Sequence, residues 1–179
     1  MQRIDDVVIE ARRSPIKVST AAPVQTLSGT ELTRLGIQNM ADAVRRFAGA
    51  NVRDYGGVGG LKTVSVRSLG AQHTGVIYDG VSVSDCQSGQ IDISRFSLTN
   101  ISQLTLTIGQ SDDIYQSARA FASAGVLHIQ TDRPDFSEQN WHINTTLKAG
   151  SFGLANPSVL YSQQLSQRTS ISLYGDYLR

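Results

Sequence analysis

The sequence predicts an α+β domain, a small mixed β-sheet with short helices and long loops, followed by a run of antiparallel strands. Three observations predict it. Two helix-start signals fall between residues 28 and 49, glycine-punctuated segments of period two fill residues 51 to 131, and after Pro134 the alternation lengthens and becomes more polar.

The 179 residues suffice for one core domain of ~100–150 residues plus an appendage. With 40% hydrophobic and 17% charged residues the chain is not an extended disordered one. No segment approaches the ~20 consecutive apolar residues of a spanning helix. The net charge of +1, with Arg12-Arg13 and Arg45-Arg46 as the adjacent basic pairs, is too weak a footprint for nucleic acid. The single cysteine, Cys86, excludes an internal disulfide and leaves too few thiolates for a zinc or iron–sulfur site. The first ten residues have no basic stretch followed by an apolar one, so the sequence is expected to be a mature or trimmed form without a signal peptide.

Residues Asp5 to Ala11 read as an extended strip, Val7-Val8-Ile9 between charges, and Pro15 forbids a helix through the stretch that follows. Val24 to Leu27 is a candidate strand. Ser28-Gly29-Thr30-Glu31 has the spacing of a capping box, predicting a helix through Leu35 that Gly36 stops. Asn39 caps a second helix with Asp42 at its third position. Met40, Ala43, Val44 and Phe47 form its apolar face, Arg45 and Arg46 its polar one, and Gly49 its end.

Strands are then expected at Asn51–Asp54, Thr63–Arg67, Gly75–Tyr78 and Val81–Val83, with Asp79-Gly80 as a tight hairpin turn. Ile101 to Ile108 is the longest clean alternation, with Ile101, Gln103 and Thr105 on one face and Leu104, Leu106 and Ile108 on the other. Val126 to Thr131 is one more strand, and Asp132-Arg133-Pro134 closes the domain, giving a boundary near Pro134. Trp141 to Lys148, Val159-Leu160-Tyr161 and Thr169 to Tyr177 continue as strands, with turns at Ser151-Phe152-Gly153 and Gln167-Arg168. Segments of about ten residues with one apolar and one polar face, and aromatics near their ends, mark transmembrane barrel strands. A soluble meander with one wet face alternates in the same way.

In order along the chain stand Asp6-Val7-Val8-Ile9-Glu10, Met40-Ala41-Asp42-Ala43-Val44-Arg45-Arg46-Phe47-Ala48-Gly49, the glycine loop Tyr55–Leu61, Val64-Ser65-Val66-Arg67, Val76-Ile77-Tyr78-Asp79-Gly80-Val81, Ile101-Ser102-Gln103-Leu104 and Ala124-Gly125-Val126-Leu127-His128-Ile129. In that order and spacing the chain resembles the start of a TonB-dependent outer-membrane receptor, and within that family most resembles the cobalamin (vitamin B12) receptors. It departs from the family's usual pattern at Gly109-Gln110-Ser111, Tyr115-Gln116, Ala124-Gly125 and Arg67-Ser68.

The resemblance implies residues 1–14 as an N-terminal strip with a TonB box, 15–134 as an α+β plug domain, and 135–179 as the first antiparallel transmembrane strands of an incomplete outer-membrane β-barrel. It implies energy-coupled uptake of a scarce nutrient across the outer membrane of a Gram-negative bacterium, cobalamin or a related corrinoid first and a ferric siderophore or haem second. A non-transporting binding module, secretin-like or carbohydrate-recognising, is the rival from another class.

The TonB box falls on Asp6, Val7, Val8, Ile9 and Glu10, whose extended backbone could add as a strand to the sheet edge of a periplasmic TonB C-terminal domain; the bland alternative is an edge strand of the domain itself. Ligand-facing loops fall on Tyr55, Gly56, Gly57 and Val58, on Gln72 and His73, and on Asp85, Cys86, Gln87 and Ser88. Partners implied are TonB, the chelate ligand, the outer membrane and a surface lipoprotein. The glycine loop is not a phosphate cradle, because a strand and not a Lys-Ser helix follows it. No cofactor or metal is expected, Cys86 and His73 being single side chains. Nor is catalysis, since no nucleophile elbow and no paired carboxylates emerge. Arg67, Arg45, Arg46, Asp42 and Asp79 are expected in structural or plug-to-wall ion pairs.

Overall fold

The computed structural model describes residues 22–56, 60–110, 115–150, 153, 155–166 and 169–177. The strip carrying Asp6 to Glu10, the loop residues Gly57 and Val58, and the turn residues Ser151, Phe152, Gln167 and Arg168 lie outside them.

Strand β1, Val24–Ser28, ends on the residue that caps helix α1, Gly29–Arg34. Both halves of the capping box form: the Glu31 amide donates to Ser28 Oγ at 3.3 Å, and the Ser28 amide donates to Glu31 Oε2 at 2.9 Å. Helix α2, Met40–Val44, is capped by Asn39 Oδ1, which accepts from the Asp42 amide at 2.9 Å. It is shorter than the sequence suggests. After Val44 the chain tightens into i→i+3 bonds, Arg46 to Ala43 and Phe47 to Val44, which still bring Phe47 into the core.

Strands β2, Ala50–Asp54, and β3, Lys62–Val66, form a two-stranded ribbon. Strands β4, Thr74–Tyr78, and β5, Val81–Val83, form a hairpin whose turn residues, Asp79 at φ +47° and Gly80 at φ +86°, both take the left-handed backbone that a tight hairpin requires. Strand β6, Ile101–Ile108, and strand β7, Gly125–Thr131, flank helix α3, Ala118–Phe121. The main sheet runs β1-β6-β7-β4-β5, antiparallel except for the parallel pair β4–β7.

Register makes the core. Leu106, Leu127, Val76 and Val83 stand side by side across four strands, and Leu104, Ile129 and Tyr78 form the adjacent row. Met40, Ala43 and Val44 of α2 and Phe47 of the turn after it pack on those rows together with Val64 and Val66 of the ribbon and the fully buried Ile93. Burying one such side chain stabilises by ~1.5–3 kcal/mol. Ile101 differs from the alternation in the sequence: a register shift between Ile101 and Gln103 turns it to the same core as Leu104. On the opposite face, Ile77, Ala120 and Val126 form a small second cluster under α3.

Residues after Pro134 form β8, Trp141–Ala149, β9, Ala155–Ser166, and β10, Thr169–Asp176, in an open antiparallel sheet of order β10-β9-β8. The expectation of transmembrane barrel strands is overturned here. The three strands leave β8 and β10 as edges, and among the described residues no barrel closes and no membrane-spanning strand is seen. The alternation that suggested a barrel records only that the two faces of the sheet differ. Ser158, Ser162 and Tyr174 lie on the face toward the main sheet, with Tyr174 hydroxyl 2.5 Å from Ser97 Oγ and Lys148 Nζ donating to Thr99 Oγ1 at 3.2 Å. Trp141, Ile143, Leu147, Leu173 and Ile171 lie on the exposed face. The fold is a small mixed α+β sheet domain with short helices and a three-stranded antiparallel sheet beside it.

Candidate functional site

The hairpin β4–β5 brings two of the sequence-predicted loops to one end of the main sheet. Val83 pairs with Val76, so the chain leaving β5 at Ser84 emerges where Thr74 enters β4, away from the Asp79-Gly80 turn. A single 3-10 turn, Ala71–His73, carries Gln72 and His73 into that end, both exposed. The His73 carbonyl accepts from the Ala124 amide at 2.8 Å, which anchors this loop to the chain entering β7.

The loop from Ser84 to Gln90 is built on Asp85. Its carboxylate accepts from the Ser88 amide at 2.7 Å, from the Ser88 hydroxyl and from the Gln87 amide at 3.4 Å. The Ser88 side chain, and then its amide, hold the Asp85 carboxyl below the usual carboxylate range. Cys86, Gln87 and Ser88 are exposed, Cys86 as a free thiol. Asp85 thus shapes the loop, while Gln87 offers an exposed amide side chain. The two loops meet at Gly89, where a Cβ would lie 3.8 Å from Gln72 Cβ.

The first predicted loop stands on the ribbon. Tyr55 and Gly56 are exposed, the Gly56 amide donates to Asp54 Oδ1 at 3.1 Å, and a Lys62–Asp54 ion pair at 2.8 Å closes the root of the loop. Asp92 connects that root to the end of the second loop. Its Oδ1 accepts from the Lys62 amide at 3.1 Å and from the Ser94 amide and hydroxyl at 2.9 and 2.7 Å. Burial works to raise the Asp92 pKa, but the Ser94 hydroxyl, the Lys62 and Ser94 amides and the charge of Arg95 outweigh it and leave the carboxyl below its usual range. Sequence reasoning missed Asp92 and helix α3. Their signals were local ones: Asp92 two residues before Ser94, and Ser117, whose hydroxyl caps the Ala120 amide at 3.3 Å.

Three of the residues expected in ion pairs, Asp42, Arg45 and Asp79, are used inside the domain. Asp42 bonds Arg45 at 2.7 Å across one helical turn, and Asp79 accepts from the Thr131 amide and hydroxyl at 2.9 and 2.7 Å, tying the hairpin turn to β7. Asp79 also borders a cleft of about 500 Å³ between the main sheet and the three-stranded sheet, lined by Tyr78, Asn100, Phe136, Leu160, Ser172 and Tyr174 among others. Burial, and then the charge of Asp79, push the Tyr78 phenol upward. The cleft lies at the turn end of β4, so it brings together none of the loop residues predicted from sequence.

Residues 16–123 match the family model of the TonB-dependent receptor plug domain. The fold is similar to that of the siderophore receptor PirA from Acinetobacter baumannii, at 22% identity over 87% of this chain and 24% of that one, with a TM-score of 0.61. The ferric enterobactin receptor PfeA from Pseudomonas aeruginosa aligns at 18% identity over 87% of this chain and 24% of that one, with a TM-score of 0.62. The copper transporter OprC aligns at 19% identity over 87% and 23%, with a TM-score of 0.65. At these identities the likeness shows the fold alone, and the chain spans about a quarter of the length of each structure. The family match covers more than half of the sequence, and the chain belongs to the TonB-dependent receptor plug family. Such plugs are transport components of the outer membrane of Gram-negative bacteria, so the chain is not an enzyme.

Proposed function

We propose that this chain is the ligand-gating plug of a receptor for energy-coupled uptake of a ferric siderophore or another metal chelate. The observation that carries the reading is the plug-family match over residues 16–123. The metal chelate is preferred to the corrinoid suggested by the sequence because the similar structures bear the names of a siderophore receptor, a ferric enterobactin receptor and a copper transporter. Cobalamin stays as the second reading, on the resemblance at Met40–Gly49 and Val76–Val81.

In this reading the loops holding Tyr55 to Val58, Gln72-His73 and Asp85 to Ser88 face the ligand. The division into strip, plug and appendage near residues 14 and 134 belongs to the same proposal. Asp6 to Glu10 act as the TonB box, and a periplasmic TonB C-terminal domain pairs with their backbone as an added strand. Main-chain pairing of this kind needs free amides along Val7-Val8-Ile9, so a proline there removes a donor and fixes φ. The chain is expected to bind a purified TonB C-terminal domain, and Val8→Pro is expected to weaken that binding about ten-fold or more. Equal binding by both would assign the strip to an ordinary edge strand. Titration with ferric enterobactin and with cyanocobalamin separates the ligand readings: saturable binding of the first alone supports the chelate, of the second alone the corrinoid.

A further inference from the structure

We infer that Arg119 is the positioning residue of the ligand-facing surface, holding the loop at Asp85–Gln90 against the loop at Gln72-His73. The inference rests on the reading that these loops receive the ligand. Arg119 belongs to none of the segments that carry the family resemblance in the sequence.

The geometry runs outward from the sheet. Ala120 of α3 is buried beside Ile77 and Val126, which seats the helix on the back of strands β4 and β7. Around that seat the Ser117 hydroxyl fastens the helix to β5 by donating to Ser82 Oγ at 3.3 Å, and at the helix end the Ser123 hydroxyl donates back to the Arg119 carbonyl at 2.8 Å. Gly75 permits the close approach, since a Cβ there would stand 3.2 Å from Ser123 Oγ. From this mount Arg119 Nη2 donates to the Gly89 carbonyl at 2.8 Å.

Gly89 makes the grip directional. Its φ of +68° is a left-handed turn that side chains rarely adopt, while the space around it would admit a Cβ at 3.7 Å from Arg119 Nη2. The glycine is therefore required by the direction of the chain, and that direction aims its carbonyl at the guanidinium. Five residues after Arg119, the Ala124 amide holds the His73 carbonyl. Residues 117–124 thus fasten both loops, and Arg119 is the side chain that reaches the second. A charged donor to a carbonyl is stronger than a neutral one, and its planar fork is pre-organised, so a single arginine can hold a loop that otherwise depends on the bonds of Asp85.

The test uses the whole 179-residue chain and compares Arg119→Ala and Arg119→Lys with the parent by amide hydrogen exchange, thermal midpoint and titration with ferric enterobactin. Arg119→Ala is expected to speed exchange at Gln87, Ser88 and Gln90 about ten-fold or more, while the amides of β6 and β7 and the midpoint stay as they were. Arg119→Lys, which keeps a charged donor, is expected to restore part of the protection. Unchanged exchange in that loop, or acceleration spread equally through β6 and β7, would overturn the assignment. Should the parent bind neither ferric enterobactin nor cyanocobalamin, the ligand reading fails, and the exchange result still decides whether Arg119 holds the loop. Where ferric enterobactin does bind, affinity unchanged in Arg119→Ala would also count against it.

Discussion

The five-stranded and three-stranded sheets alternate with the same period and turn opposite kinds of side chain inward. In the first, Leu104, Leu106, Leu127 and Ile129 are sealed under α2, and Thr26 and Thr105 lie on the other face. In the second, Ser158 and Ser162 are the buried residues, and Trp141, Ile143, Leu147 and Leu173 are more than half exposed. A period of two says that the faces differ and never says which one is packed. Stability therefore concentrates in the first sheet, where the rows are apolar and covered. The second is held to it by polar contacts such as Tyr174 with Ser97 and Lys148 with Thr99.

That contrast can be broken with a pair of equal truncations. Leu127→Ala, at a residue with no exposed surface, is expected to cost ~2–5 kcal/mol, whereas Leu173→Ala, 63% exposed, should stay within about 0.5 kcal/mol of the parent. Urea unfolding of the two variants measures the difference. Similar losses would mean that the three-stranded sheet is packed on its apolar face as well.

Smaller effects sharpen the picture within the first sheet. Ser28 ends β1 and opens α1 in one residue, so Ser28→Ala removes the acceptor for the Glu31 amide and is expected to cost ~1 kcal/mol by the same measurement. A cost near zero would mean that water replaces the cap without loss.

The smallest expected effect is one of pH. Asp92 has its pKa lowered in the folded chain, so the stability it contributes is complete above the ordinary carboxylate range and is lost as pH falls through its folded value. The thermal midpoint is expected to fall on acidification below about pH 4, with a shallower fall in Asp92→Asn. Parallel acid limbs in the two proteins would show that other carboxylates set the dependence.

Much of the fold could be read from residues alone because its signals are local. Ser28 with Glu31, Asn39 with Asp42, and Asp79-Gly80 each specify a cap or turn within four residues, and all three form. The parallel pairing of β4 with β7 is decided across some fifty residues by burial, which no window of sequence contains. Helix α3 has four residues, too few for a periodic signal, and it was missed with Arg119. For the loops, sequence pointed to Gln72, His73 and Asp85 to Ser88 as separate segments. That two of those segments share one end of the sheet follows from the β4–β5 register, a tertiary fact. At Arg67-Ser68, where the chain departs from the usual Arg-Gly, the backbone keeps a left-handed shape, with φ +50° and +61° on two non-glycine residues. The turn is imposed by the strands around it and not by its own residue types.

The strand order also governs how the chain can assemble in time. In β1-β6-β7-β4-β5 the first strand meets its partner only after roughly eighty further residues, since Val24 pairs with Thr107, and β4 waits for β7. The β4–β5 hairpin is quick to close, but it remains a fragment until the later strands arrive. A sheet of such distant pairings folds slowly, because each contact must first close a long loop. A chain made from its N-terminus thus cannot complete this sheet until about residue 131 is available.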